Sequence, residues 1–471
     1  MLIGILGLTM LQGCATYHAH PLETSPKLAS SLEALRTHIE ASEFMELPSS
    51  WRQHPINVSD GLDETETALL AVLNSPQLKA ARGKMVEAKA SLYSAGLLPD
   101  PQVSTGFDFP RSKDPALKPG ESFGLGIDLQ QILTRGARRD AATEQAKATY
   151  LNVLWQEWQV IQQARMLWRR TSIQRQQLEI LRDQFQQAES TWKSLNGALI
   201  RGNATVDQEG LSLAPMMDAQ AAVEESKRQL NATMHDLHLL LGIDPSVLLI
   251  LTNNEDITTL IQIPLEGDSL ESILKEIGMK RPDILALQAG YLSQENRVRE
   301  QILSQFPSFS IGANSLRDTA GLWTLGPFIN LNLPILNGNR GRVAMARATR
   351  QRLQEEYHFQ LRSSYMQASK MAEDQRLAFR EWKTLSEHLP KLEKSTKRLS
   401  KALASGDVDM LTFTTLRTAY FSQQAKVLLL EQALLEQGVA LDALTGVLLI
   451  NQTTNEQPQR VPPQSIQEPQ L

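Results

Sequence analysis

Two stretches of the chain, "NSPQLKAARGKMVEA" at residues 74–88 and "KRPDILALQAGYLSQ" at residues 280–294, decide how it is organised. Each has a proline at its third position, and Pro76 and Pro282 lie 206 residues apart. Four more pairs keep a spacing of 203 to 206 residues: Pro101 with Pro307, Ile132 with Ile335, Gly202 with Gly406, and Gly242 with Gly446. Such regular spacing predicts a tandem duplication, with one repeat at residues 64–243 and the second at residues 270–447.

Composition excludes several classes of protein. The 471 residues include 47 Lys and Arg against 52 Asp and Glu, a net charge of −5 that does not favour a nucleic-acid partner. Beyond the N-terminus, no segment approaches the roughly 20 apolar residues of a membrane-spanning helix, so a polytopic helical membrane protein is excluded. Cys14 is the only cysteine, which rules out an internal disulfide and a cysteine-based zinc site.

The N-terminus combines a short apolar run at residues 2–10 with "LQGC" at residues 11–14. This pattern predicts a signal peptide at residues 1–13. It resembles the lipobox of bacterial lipoproteins, which implies that Cys14 carries a covalent lipid such as palmitate and begins a lipidated segment, residues 14–63. Ala15 follows the cysteine, and the resemblance then implies the outer membrane. The alternative is a buried N-terminal helix with an unmodified thiol.

Each repeat contains two segments in which apolar and polar residues alternate. Phe123, Leu125 and Ile127, for example, are separated by Gly124 and Gly126. A period of two predicts strands with one apolar face, and their length suits a tilted transmembrane strand. The predicted strands are residues 101–110, 121–132, 307–315 and 322–334. A soluble, half-buried sheet has the same local pattern. If the strands lie in a membrane, four cannot close a barrel alone, whereas three chains would supply twelve.

Long helical regions follow each strand pair, at residues 138–199 and 342–404, and each is followed by a returning helix at residues 208–241 or 411–444. Leucines and other apolar residues recur every three and four positions, which predicts coiled-coil packing. About 60 residues of helix extend roughly 90 Å. Such hairpins suit the wall of a tube. They also suit a soluble or filamentous coiled-coil scaffold, which is the alternative function.

Four motifs, in order, carry a family resemblance: "LQGC", "LPDP" at residues 98–101, "LGPFINLNLPILNGNRGR" at residues 325–342, and "ALASGDVDMLTFTTLRTAYF" at residues 402–421. With the repeat, they resemble the TolC-like outer-membrane factors over residues 14–447. The resemblance implies a mainly α-helical homotrimer with a shared twelve-stranded β-barrel, a periplasmic tunnel, and an equatorial belt that includes residues 244–269. It implies an exit duct in the outer membrane that is gated at the periplasmic helical tips. The duct would work with a periplasmic adaptor and an inner-membrane pump. The Gln- and Pro-rich tail, residues 448–471, is predicted to be disordered.

The two hairpin tips correspond to the periplasmic gate of the family. The candidate residues are Arg201, Gly202, Asn203 and Asp207 at the first tip and Gly406, Asp407 and Asp409 at the second. Repeated by threefold symmetry, the second-tip carboxylates would form a ring that favours cations and raises its own pKa values. The alternative is turn and helix-cap chemistry. Thr412 and Thr415 stand where many family members have acidic residues.

Other motifs give weaker evidence about function. Ser122 lies in "GESFG", which matches a nucleophile elbow only if a strand-to-helix turn follows, and here it opens an alternating segment. His235 and His238 have helical spacing but no evident third ligand, so we predict no metal site. No phosphate-binding loop is present. We expect no enzyme activity and no cofactor beyond the lipid. The substrate stays open, although "LPDP" is similar to heavy-metal efflux members and slightly favours cations.

Overall fold

The structure is a computed structural model that describes residues 17–35, 54–111, 114, 116–252 and 257–446. The predicted signal peptide, Cys14 and the predicted tail lie outside the described residues. Within the described residues the chain folds as two halves that contain the same six elements in the same order.

The first half contains helices α1 (Glu64–Asn74) and α2 (Pro76–Gly96), strands β1 (Gln102–Asp108) and β2 (Gly120–Asp128), and helices α3 (Leu129–Ile200) and α4 (Val206–Leu241). The second half contains helices α5 (Gly267–Lys280) and α6 (Pro282–Leu303), strands β3 (Ser308–Arg317) and β4 (Trp323–Asn332), and helices α7 (Arg340–Ser405) and α8 (Met410–Thr445). A short 3-10 helix, Ile257–Leu260, lies between the halves. Among the described residues, no helix has a stretch long and apolar enough to cross a membrane.

Local chemistry sets several helix boundaries. Pro76 and Pro282 occupy the first positions of α2 and α6, where the missing N–H costs no hydrogen bond. The prediction that the second strand extends to residue 132 is wrong, because α3 begins at Leu129. The Asp128 side chain accepts a hydrogen bond from the Gln130 N–H at 2.9 Å and caps that helix. The cap overrides the alternating pattern that continues past it.

All four strands form one antiparallel sheet in the order β1-β2-β3-β4. The central pair, β2 with β3, joins the two halves, with Gly126 opposite Gly312. Odd-numbered positions share one face, and the apolar side chains on it are exposed: Val103, Phe107, Phe123, Leu125, Phe309, Ile311, Trp323, Leu325, Ile329 and Leu331. The outer strands β1 and β4 each pair on one side only within the described residues. The sheet therefore has an uncovered apolar face and two open edges.

The even-numbered face of the sheet is built mainly from Gly, Ser, Asn and Asp residues. Leu316 and Phe328 are its two apolar side chains, and the Phe328 ring lies over three glycines of β2 and β3. A Cβ atom on Gly312 would come within 2.6 Å of that ring, so the close approach requires glycine.

The main hydrophobic core lies near the middle of α3, where α1, the end of α4 and the segment between the halves converge. Residues of the N-terminal segment reach this core: Ala29 pairs with Ile243, and Leu62 pairs with Leu251. Trp168 of α3 is buried and donates a hydrogen bond to the Leu62 carbonyl at 2.9 Å. The N-terminal and inter-repeat segments thus form a belt around the helices.

Buried charges tie α1, α3 and α8 together in this belt. Glu64 accepts hydrogen bonds from both Arg165 and Arg169, at 2.7 and 3.0 Å, and Arg165 also contacts Asp442 at 3.0 Å. Loss of one partner would leave a buried charge uncompensated, which is strongly destabilising. The network therefore fixes the crossing of these three helices.

Candidate functional site: the hairpin tips

Both hairpin tips lie at the same end of the molecule. Helices α3 and α8 run antiparallel: Arg165 contacts Asp442 in the belt, Gln184 contacts Gln424 farther along, and Arg417 contacts Thr191 beyond that. Thr191 lies close to the end of α3, and Arg417 lies close to the start of α8. The turn after α3 and the turn before α8 are therefore neighbours.

The first tip is a turn closed by glycine and a capping box. Gly202 has a positive φ of 74°, and its N–H donates to the Leu199 carbonyl at 2.9 Å. Asn203 follows with a hydrogen bond to Ala198, also from its backbone N–H. Thr205 then caps α4, with reciprocal hydrogen bonds between Thr205 and Gln208. The predicted candidates Arg201, Gly202, Asn203 and Asp207 are all exposed here.

The second tip has the same form with different side chains. Gly406 has a φ of 80° and ends α7. Asp407 accepts a hydrogen bond from the Ser405 hydroxyl at 2.5 Å. Asp409 caps α8 and accepts hydrogen bonds from the Thr412 N–H and hydroxyl, both at 2.8 Å. The structure thus brings all three predicted residues of this tip into one exposed turn.

Hydrogen bonding decides the acid strength of Asp409. The backbone N–H of Thr412, and then its hydroxyl, hold the pKa of Asp409 below its ordinary value. Within one chain this carboxylate is a helix cap, which agrees with the turn-chemistry alternative. A ring of such carboxylates, and a gate at either tip, stay predictions.

A contact that the sequence did not reveal links the two hairpins. Arg417 of α8 donates a hydrogen bond to the Thr191 hydroxyl of α3 at 3.2 Å. Its guanidinium lies 5.6 Å from the Phe413 ring centre and 5.5 Å from the Phe421 ring centre, one turn away on either side. Burial lowers the pKa of Arg417. The lone arginine of "LTFTTLRTAYF" was the signal, but its partner lies 226 residues away.

Arg417 also borders a small cavity of about 30 Å³ between α3, α4 and α8. Pro215 of α4 lines the cavity, and a proline inside a helix removes one backbone hydrogen bond. Nearby, the Trp192 indole donates to Glu209 at 2.7 Å and ties α3 to α4. A small cavity and a few polar contacts between α3, α4 and α8 therefore lie just behind the tips.

Three other groups of residues have structural roles. His54, Asp63 and Glu66 bring ligand atoms within 4.8 Å of one another, but Asp63 and Glu66 form the capping box of α1. The two ring nitrogens of His238 lie 2.6 and 2.8 Å from the Met234 and Val247 carbonyls. Ser122 lies inside β2, away from any strand-to-helix turn.

No family model and no characterised protein matches the sequence. Solved structures do match the fold. CusC, whose structures concern folding and transmembrane channel formation, has a TM-score of 0.68 at 16% identity, over 85% of this chain and 96% of that one. The outer-membrane protein VceC of Vibrio cholerae has a TM-score of 0.66 at 14% identity, over 81% of this chain and 96% of that one. The MtrE outer-membrane channel of Neisseria gonorrhoeae, in its open state, has a TM-score of 0.65 at 15% identity, over 81% and 88%.

These structural matches confirm the predicted fold class and the resemblance to TolC-like outer-membrane factors at the level of the fold. The fold consists of duplicated helical hairpins with four strands per chain.

Proposed function

We propose that the protein is the outer-membrane exit duct of a tripartite efflux or type I secretion system. Three chains share one β-barrel, their helices form a tunnel into the periplasm, and substrates pass through it passively. An inner-membrane pump and a periplasmic adaptor supply the energy and the docking surface. The lipid at Cys14 anchors the N-terminal segment and stays a prediction, because that residue lies outside the described residues.

One observation carries the proposal: the sheet has an exposed apolar face and two open edges. In lipid, an open edge leaves backbone groups without hydrogen bonds, so a sheet in the membrane has to close. β1 and β4 supply complementary edges, and pairing β4 of one chain with β1 of the next closes a ring. The polar, glycine-rich face would then surround water, and the apolar face would contact lipid.

The helices support the same closure. Each strand adjoins one helix in sequence, so α2, α3, α6 and α7 stand side by side in the order of the strands. The two outer helices, α2 and α7, carry exposed apolar side chains below the open strand edges: Val86 and Tyr93 on α2, and Met345, Phe359 and Met366 on α7. Neighbouring chains would cover these side chains on both levels of the tube.

The alternative of a soluble or filamentous coiled-coil scaffold accounts for the helices alone. A rod has no use for a row of exposed aromatic and aliphatic side chains on one sheet face. The comparisons point the same way, since the matching folds are those of outer-membrane channels.

Conductance in planar lipid bilayers tests the proposal. We expect the intact protein to form ion-conducting pores that spend most of the time closed. Arg417→Ala removes the contact between Arg417 and Thr191, and it should raise the ratio of open to closed pores about two- to tenfold, because one such hydrogen bond contributes about 0.5–1.5 kcal/mol. Thr191→Val removes only the acceptor and should act in the same direction. Lys401→Ala, an exposed change near the second tip, is the matched control.

The outcomes separate two questions. Absence of any conductance from correctly folded, membrane-inserted protein would reject the duct. Pores whose opening is the same in all three variants would leave the duct in place and reject the contact of Arg417 with Thr191 as part of its closure.

A further inference from the structure

A groove on one side of α3, between α2 and α6, carries several charged side chains. It has a volume of about 460 Å³, and Lys84, Glu87, Arg138, Arg297 and Glu300 are among the side chains that line it. A second groove of about 290 Å³, between α3 and α7, shares Gln145 and Arg297 with the first. The two form one concave surface across the row of four helices, and we call the first the α2–α3–α6 groove.

The charges of this groove are unpaired. Within the described part of the chain, none of its three cationic and two acidic side chains forms an ion pair. The Nε atom of Arg138 is buried and has no hydrogen-bond partner. In contrast, Arg82, five residues before Glu87 on α2, is paired with Glu157 at 2.8 Å. The groove therefore presents donors that a ligand could occupy.

Helical geometry gives the direction in which the groove faces. Leu129 continues the odd-numbered apolar positions of β2, and Leu133 follows one turn later with 48% of its surface exposed. Arg138 comes five residues after Leu133, which at 3.6 residues per turn is the opposite side of α3. The groove thus lies on the side that continues the polar face of the sheet, the side that surrounds water in the proposed duct.

We propose that the α2–α3–α6 groove binds the anionic groups of cargo, carboxylate or phosphate, as they pass along the tunnel wall. This inference rests on the proposed function and adds a preference to it. Each chain contributes three cations against two carboxylates there, so the groove has a net positive charge. Two of the cations are arginines, whose planar guanidinium matches carboxylate and phosphate oxygens in pairs. The preference is opposite to the cation preference suggested by the aspartates of the second tip.

Reversal potentials in a KCl gradient across a planar bilayer test the inference, with chloride and potassium as the probes. We expect the intact pore to favour chloride about twofold at low salt, because charges lining a passage concentrate counter-ions. Arg138→Gln with Arg297→Gln should abolish that preference, and Glu87→Gln with Glu300→Gln should increase it. All differences should shrink at 1 M salt, where the Debye length is about 3 Å.

Single-charge variants provide the matched control. Lys147 is exposed and lies fourteen residues after Leu133, on the same side of α3 as that leucine and away from the groove. Arg138→Gln should reduce the chloride preference, and Lys147→Gln should leave it unchanged. Equal effects of the two changes, or no effect of the double variant, would overturn the inference while pores still form. Absence of pores from the intact protein would instead reject the proposed function.

Discussion

The two repeats differ far more in burial than in the order of their elements. Helix α1 of the first repeat is buried along most of its length, whereas its counterpart α5 buries only Leu274 and Ile277. Leu73 is 2% exposed, and Met279, which occupies the same place 206 residues later, is 68% exposed. The N-terminal segment packs on the first repeat, and the inter-repeat segment packs on it too and also contacts Leu428 and Leu435 of the second. Duplication thus repeats the backbone, and the added segments determine which copy forms the core.

The hairpin tips, in contrast, are alike in the two repeats. Both turn on a glycine of positive φ, Gly202 or Gly406, and both are followed by a side chain that caps the next helix. The capping residue differs, with Thr205 in the first repeat and Asp409 in the second. A turn depends on its own few residues, so the two copies kept it, while burial depends on distant partners.

The largest expected effect tests the difference in burial. Leu73→Ala should destabilise the protein by about 2–5 kcal/mol, because it leaves a cavity in the main core. Met279→Ala, its counterpart, should change stability by less than about 0.5 kcal/mol. The measurement is the thermal unfolding midpoint of the detergent-extracted protein. Equal destabilisation would show that a partner covers α5, and the contrast between the repeats would fail.

An intermediate effect tests the similarity of the tips. Gly202→Ala and Gly406→Ala should each cost about 1–2 kcal/mol, since an alanine in the left-handed region is strained. No atom lies near the added methyl group at either position, so strain is the only cost. Gly210→Ala, within α4, is the control and should be neutral or stabilising. A large difference between the two tip variants, measured by thermal unfolding, would contradict the equivalence.

The smallest expected effect separates the two caps by pH. Thr205→Ala should destabilise the first turn of α4 by about 1 kcal/mol at any pH. The folded-state pKa of Asp409 is lowered, so its cap stabilises the folded state above about pH 4 and loses that contribution as the pH falls through the lowered pKa. Hydrogen exchange in the first turns of α4 and α8 measures both effects. Asp409→Ala should therefore differ from the unchanged protein at pH 7 and converge with it in acid.

Much of the fold follows from periodicity. The strand faces, the long helices and the glycines at both tips depend on local patterns, and the structure contains each of them. The alternating pattern places the end of the second strand too far along the chain, because one capping side chain, Asp128, outweighs that pattern. The pairing of Ala29 with Ile243 and of Leu62 with Leu251 was beyond local reasoning, since each bridge joins distant segments by a few hydrogen bonds.

The candidate site followed from sequence only in part. Glycine and aspartate are typical of turns and helix caps, so the sequence places Gly202, Gly406 and Asp409 at the tips. Arg417 could not be assigned a partner, because Thr191 belongs to the other repeat and threonine carries no signal of its own. The α2–α3–α6 groove could not be predicted from the sequence either, since its charges come from three separate helices.

The pairing of β2 with β3 has a meaning in the history of the molecule. It is a junction between the two repeats inside one chain, and it has the same arrangement as the proposed junction of β4 with β1 between chains. An ancestor with a single repeat would have used one kind of junction throughout, in a ring with twice as many, shorter subunits. Fusion of two such subunits would make every second junction covalently linked, and the repeats could then diverge, one towards the core and one towards the surface.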